Sequence, residues 1–129
     1  MTQGLDQLFA THERALGVLD RRLSLLGSNL ANVDTPGYKA RDIDFREALA
    51  EASATTSMAR THAGHMALGG TDGDASVQYR IPLQASLDGN TVDAHVEKSA
   101  FADATVRYES TLTFLSRRIS GLKSVLRGE

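Results

Sequence analysis

The chain has no cysteine and no tryptophan. The first absence excludes disulfides and thiolate metal sites, and it suits a reducing or an oxidising compartment alike. The second, with only three Tyr and four Phe in 129 residues, leaves few of the large side chains that fill a core. The hydrophobic fraction of 41% leans on alanine, which adds little burial energy. Neither sign of charge dominates, and a net charge of −2 gives no global field to recruit nucleic acid or a membrane. No run approaches the ~18 apolar residues of a membrane span. The first residues lack the basic and apolar regions of a cleavable signal peptide, so any export is expected to use none. A chain of this length supports one domain at most.

What the chain does have is one apolar stripe at each end. Leu5, Phe9, His12, Leu16, Leu19, Leu23, Leu26, Leu30 and Val33 alternate in steps of four and three; so do Phe101, Thr105, Tyr108, Leu112, Leu115, Ile119, Leu122 and Leu126. A spacing near 3.5 residues makes a narrow seam of the kind helices use to pair with helices. The expected fold is mainly α, with two long coiled-coil-like terminal helices flanking an irregular middle that holds a short helix and a small β element. The chain divides into an axial helix in 1–34 (helical over 5–33, capped by Thr2), a middle segment 35–91, and a second axial helix in 92–129, capped by Thr91 and closed by Gly128.

Breakers mark the joints. The first helix ends at Asn32-Val33-Asp34-Thr35-Pro36-Gly37-Tyr38, where Thr35–Tyr38 suits a type II turn with Gly37 at positive φ. Residues 38–45 are expected to be extended. Asp44 with Glu47 forms a capping box for a short helix near 44–52. Val77, Tyr79 and Ile81 alternate with polar residues as a short strand near 77–82, ended by Pro82. Residues 53–76, poor in large hydrophobes, read as a mobile loop. Asp88-Gly89-Asn90 is a tight turn. A hairpin of two helices buries only one strip of each, which is little against the entropy of ordering them. Leu8, Val18, Leu25, Val106, Phe114 and Val125 lie off the seam, and they are expected to meet helices of other subunits.

Candidate chemistry is thin. His62 and His65 in a Gly-containing loop lack a completing carboxylate at ligand spacing, and Asp72-Gly73-Asp74 lacks the further ligands and terminal Glu of a calcium loop. His12 reads as a seam histidine and His95 as an exposed one. Asp42 and Asp44 have no evident pocket or partner base, and Asp44 has a capping role. Arg21-Arg22 and Arg117-Arg118 lack the aromatic neighbours of a nucleic-acid site and read as solvated or salt-bridged. In the last helix Asp93, Glu97, Asp103 and Glu109 come early and Arg117, Arg118, Lys123 and Arg127 late, complementing the helix dipole. No catalytic residue, cofactor, metal, nucleic acid or small-molecule substrate is expected.

Asn29-Leu30-Ala31-Asn32-Val33-Asp34-Thr35-Pro36-Gly37-Tyr38 resembles the break after the first helix in bacterial flagellar rod, hook and related axial proteins. Lys39–Phe45, Tyr79-Arg80-Ile81-Pro82 and Ser86–Asp93 resemble, more narrowly, proximal rod subunits of the flagellar basal body. The likeness covers both ends and skips 53–76. It departs at Asp93-Ala94-His95-Val96-Glu97, where such proteins often carry an acidic, Met-containing helix start. The resemblance implies a structural subunit, not an enzyme, exported through the flagellar type III apparatus into a periplasmic rod. The implied partners are copies of itself, other rod proteins, the membrane-embedded ring with its rod-ring adaptor, and the export gate. It implies terminal helices that order in concentric layers of a tube transmitting torque around an export channel. Assembly is expected to rest on the seam (Leu5, Phe9, Leu16, Leu19, Leu23, Leu26 and Leu30; Phe101, Tyr108, Leu112, Leu115, Ile119, Leu122 and Leu126), with the turns at Asn29, Asn32, Asp34–Tyr38 and Asp88–Asn90. From a different class, a cytoplasmic oligomeric coiled-coil adaptor or regulator would also explain the heptads, though not the turn motif.

Overall fold

The computed structural model describes residues 2–53 and 77–128, with side chains described for 9–50 and 77–128. The Thr2 cap, the side chains of Leu5 and Leu8, the His62/His65 pair, the Asp72–Asp74 loop and the expected mobility beyond Ser53 lie outside the described residues. Helix α1 spans Thr2–Ala31, strand β1 Arg41–Ile43, helix α2 Phe45–Ser53, strand β2 Val77–Tyr79 and helix α3 Ala94–Arg127. The architecture is mainly α, two long helices around a small central sheet. At 1.5 Å per residue α1 is roughly 45 Å long and α3 roughly 51 Å.

Helix α1 ends two residues before the expected position. The amides of Asn32 and Val33 reach back only three residues, to the carbonyls of Asn29 and Leu30, and tighten the last turn. The Asn32 side chain donates to the Ser28 carbonyl at 2.8 Å and satisfies one of the acceptors the helix end leaves open. Gly37 sits at φ +73°, and the Tyr38 amide returns to the Thr35 carbonyl at 3.3 Å. Positive φ is what the turn requires and what glycine supplies without strain.

The extended segment after this turn becomes β1. It pairs antiparallel with β2 in the register Arg41↔Tyr79, Asp42↔Gln78, Ile43↔Val77. Arg80 N–H to the Ala40 carbonyl (2.9 Å) adds a rung. Asp44 caps α2 as its position suggests, accepting from the amides of Arg46 (2.8 Å) and Glu47 (3.1 Å). The Glu47 carboxylate accepts from the Gln78 side chain at 3.2 Å, tying α2 to β2.

Helix α3 starts two residues later than expected. Its N-cap is Asp93, whose side chain accepts from the amides of His95 and Val96. Thr91 is occupied elsewhere: its hydroxyl accepts the Ala40 amide at 2.8 Å. Gly128, at φ 75°, closes the helix in left-handed conformation. The helices are antiparallel, since Asn29 meets Glu97 while Arg22, two turns earlier on α1, feels the charge of Asp103.

The buried apolar side chains are Ala15, Val18, Leu19, Leu26, Ala40, Ile43, Ala48 and Ala104. Val18, Ile43 and Ala48 form a cluster against which Leu25, Phe45 and Val77 pack. Val18 and Leu25 were expected to face other subunits; instead the middle segment folds back and covers them, because α2 and β1 pack on the flank of α1. Val106, Phe114 and Val125 stay exposed on α3. Leu26→Ala, at a fully buried site, should therefore destabilise the isolated chain by about 2–5 kcal/mol. Leu126→Ala, at an exposed one, should leave it within about 0.5 kcal/mol. Denaturant unfolding followed by circular dichroism distinguishes the two.

Candidate assembly site

Two sequence motifs separated by fifty residues meet at one end of the helix pair. The Gly37 amide donates to the Asp88 carbonyl (2.9 Å), and the Thr91 amide to the Tyr38 carbonyl (3.0 Å). Lys39 Nζ donates to the Gly89 carbonyl at 2.7 Å. The buried Asn90 side chain is the bolt. Its Nδ2 lies 3.1, 2.7 and 3.0 Å from the carbonyls of Asn32, Val33 and Thr35, and its Oδ1 accepts the Val92 amide. One amide thus serves carbonyls at the end of α1 while holding the entry to α3. Asp88 steadies the turn by accepting from the Ser86 hydroxyl and the Asn90 amide, which keep its carboxyl below the usual range. Gly89 has φ +74°, a second position that demands glycine.

Beneath the turns lies a network of which Asn29 alone is among the candidate assembly residues read in the sequence. Asn29 is fully buried; its Nδ2 donates to the Arg41 carbonyl (2.7 Å) and to Glu97 Oε2 (3.1 Å), and its Oδ1 accepts the Arg41 amide (3.1 Å). Glu97, 1% exposed, receives Arg80 Nη1 at 2.5 Å on its other oxygen. Arg80 Nη2 reaches Asp42 Oδ2 at 2.5 Å, and Arg22 grips Asp42 with Nε (2.9 Å) and Nη2 (3.1 Å). Two cations and two anions therefore alternate as Arg22–Asp42–Arg80–Glu97, joining α1, β1, the end of β2 and α3. No buried side-chain polar atom among the described residues is left without a partner.

Burial works against ionising Asp42. The hydrogen bonds from Arg22, the Ile43 amide and Arg80, with the Arg22 charge, outweigh it and hold the carboxyl below its ordinary value. The bond to Asp42 likewise raises Arg22, against the opposing effect of burial. Glu97 reads in the sequence as a dipole-complementing charge, and nothing in its spacing marks it as buried. The alternation around Tyr79 did carry a signal for Arg80: it shares a face with Gln78, opposite Asp42.

The seam residues divide. Leu19 and Leu26 are buried, and Phe9, Leu16, Leu23 and Leu30 are half-buried. On α3, Tyr108, Leu115 and Leu122 are half-buried, while Phe101, Leu112 and Ile119 are each 39% exposed and Leu126 is 86% exposed. In the turns, Asn29 and Asn90 are buried, Asn32 and Tyr38 half-buried, and Asp34, Thr35, Pro36, Gly37, Asp88 and Gly89 exposed. His12 is half-buried and His95 exposed. No group of residues able to hold a metal ion occurs among the described residues.

Two outcomes follow from the network. Arg80→Met leaves Glu97 buried without its cation and should destabilise by about 3–5 kcal/mol, whereas Arg80→Met with Glu97→Leu should recover most of the loss; unfolding midpoints measure both. Asp42 titrates lower in the folded than in the unfolded state, so its contribution is complete above the unfolded pKa of about 3.9 and is lost as pH falls through the folded value. Stability should decline below about pH 4, and Asp42→Asn should flatten that decline in unfolding midpoints taken from about pH 5 to 2.

Residues 9–39, the greater part of α1 with its terminal turn, match the family of the flagella basal body rod protein. The whole chain is 48% identical over 129 residues to the flagellar basal body rod protein FlgB of Cereibacter sphaeroides, with both chains fully covered. It is 44% identical over 132 residues to FlgB of Aeromonas hydrophila, covering 100% of this chain and 99% of the relative. With FlgB of Escherichia coli K12 the identity is 40% over 134 residues, covering 98% and 97%. These matches leave the adaptor alternative without support. A turn that locks the end of one long helix to the start of another, likeness over the full length and a seam half open to solvent meet in one conclusion: this chain belongs to the flagellar basal body rod protein family.

Proposed function

We propose that this structural rod subunit assembles through the exposed apolar side chains of α3, a seam strip of Phe101, Leu112, Ile119 and Leu126 and a second strip of Phe114 and Val125, with α1 held against α3 by the locked turns. The carrying observation is that Phe101, Leu112, Phe114, Ile119, Val125 and Leu126 remain exposed on one helix, whereas of the described α1 seam Leu19 and Leu26 are buried and the rest half-buried. So many large apolar side chains on one helix are more than a lone monomer ordinarily leaves to water. In this reading the axial segments 1–34 and 92–129 build concentric layers of the proximal rod, and 35–91 packs between neighbouring subunits. The tube transmits torque and surrounds the export channel, in the periplasm, at the base next to the ring, the rod-ring adaptor and the export gate. The subunit reaches it by type III export without a cleaved signal. Its role is mechanical, and no residue is assigned to catalysis.

Leu112→Asp places a charge on the open face, and Leu23→Asp places one on the half-buried face of α1. Either should leave synthesis intact and abolish incorporation, read as loss of swimming in soft agar and absence of the chain from purified basal bodies. Motile cells with intact basal bodies carrying either change would overturn the proposal.

A further inference from the structure

The segment between β2 and α3 is anchored at both ends and apolar in between. Arg80 is tied into the buried network and Asn90 is bolted to the end of α1. Between them Ile81, Leu83 and Leu87 stand 87%, 84% and 109% exposed. Pro82, with its fixed φ, stiffens the segment. The result is a held apolar crest at the closed end of the molecule. Residues 81–93 carry two exposed acids, Asp88 and Asp93, and no base, while the exposed Arg41 and Lys98 of the same end lie outside the segment, on β1 and in the early part of α3. Lys39, a base of the same region, is directed to the Gly89 carbonyl.

The opposite end has the complementary character. From residue 110 to 128, α3 contains no acid and four exposed bases, Arg117, Arg118, Lys123 and Arg127. Exposed Phe114, Ile119, Val125 and Leu126 lie among them. The crest cannot reach this surface in its own chain, because the 26 residues of continuous helix from Asp93 to Ile119 separate them by roughly 39 Å. We infer that the crest of one copy docks on the distal half of α3 of a second copy. The two surfaces are unlike, so the contact is heterologous and propagates from subunit to subunit. Opposite charges set its direction and disfavour crest against crest. The inference rests on the rod-subunit reading above.

The absence of cysteine allows a direct test. Leu83→Cys and Val125→Cys are placed in separate copies, expressed together, and the purified basal bodies are oxidised mildly. A disulfide-linked dimer several-fold more abundant than with either variant alone is expected. Leu87→Cys with Ile119→Cys provides a second pair. Basal bodies containing both variants of each pair but no mixed dimer would overturn the inference while leaving the rod reading intact, as would dimers formed mainly between Leu83→Cys copies. Failure of the unsubstituted chain to appear in basal bodies would remove the rod reading, and the inference with it.

Discussion

A carboxylate cannot be withdrawn from water in the first turn of a helix unless cations and donors are brought to it, and at Glu97 they come from two other parts of the chain. Arg80 arrives from the end of β2, itself held by Asp42 on β1, which is held in turn by Arg22 on α1; Asn29 arrives from the last turn of α1. Desolvating such a set offsets much of its Coulombic attraction, so the network contributes little net stability beyond an apolar substitute. Its larger effect is selective. Two leucine-rich heptad seams tolerate sliding by one repeat, about 10 Å of helix. Sliding here would strand Glu97 and Asn29 without partners, at several kcal/mol. The ion pairs thus specify the one axial register in which the turns can also close.

The turns use amides for the same purpose. Asn90 spends its donors on the carbonyls of Asn32, Val33 and Thr35 in the turn that follows α1, and Asn29 pairs with both backbone groups of Arg41. These contacts cross from one motif to the other, so neither turn is complete without its partner. The consequence is a gradient along the molecule. The end near Asn29 and Glu97 is closed by polar contacts of fixed geometry. Along α3 beyond Tyr108 every side chain is half-buried or exposed, and with so few buried contacts that half has the lower local stability.

The two long helices, the break at Pro36-Gly37, the Asp44 cap and the Gly128 stop were legible because each depends on local chemistry: periodicity, fixed or positive φ, a side chain reaching its own backbone. Contacts made at a distance were not. Thr91 looks like a cap until Ala40, far away in sequence, takes its hydroxyl. Val18 and Leu25 look like spare surface until α2 and β1 fold onto them. Glu97 sits where a dipole would want an acid, and its burial is decided by Arg80. Of the candidate site, the residues of the two turns stood out in the sequence as separate motifs, but the fact that Asn29–Tyr38 and Asp88–Asn90 are halves of one joint could not be read there.

The composition of α3 bears on what its open face can do next. A helix destined for an apolar surrounding cannot carry idle hydroxyls, since each buried unpaired donor costs about 1–3 kcal/mol. Thr105, Ser110, Thr111 and Thr113 donate to the carbonyls of Phe101, Val106, Arg107 and Glu109, four residues back in each case. Such bonds slightly weaken and bend a helix exposed to water, where the hydroxyl could solvate itself. In a packed array of helices the balance reverses, because the same bonds leave no donor orphaned when neighbours close in. The hydroxyl-rich stretch of α3 is a mild liability in a monomer and an adaptation in a wall of helices, and the apolar side chains beside it, Phe101, Leu112 and Phe114, have the same two-sided energetics.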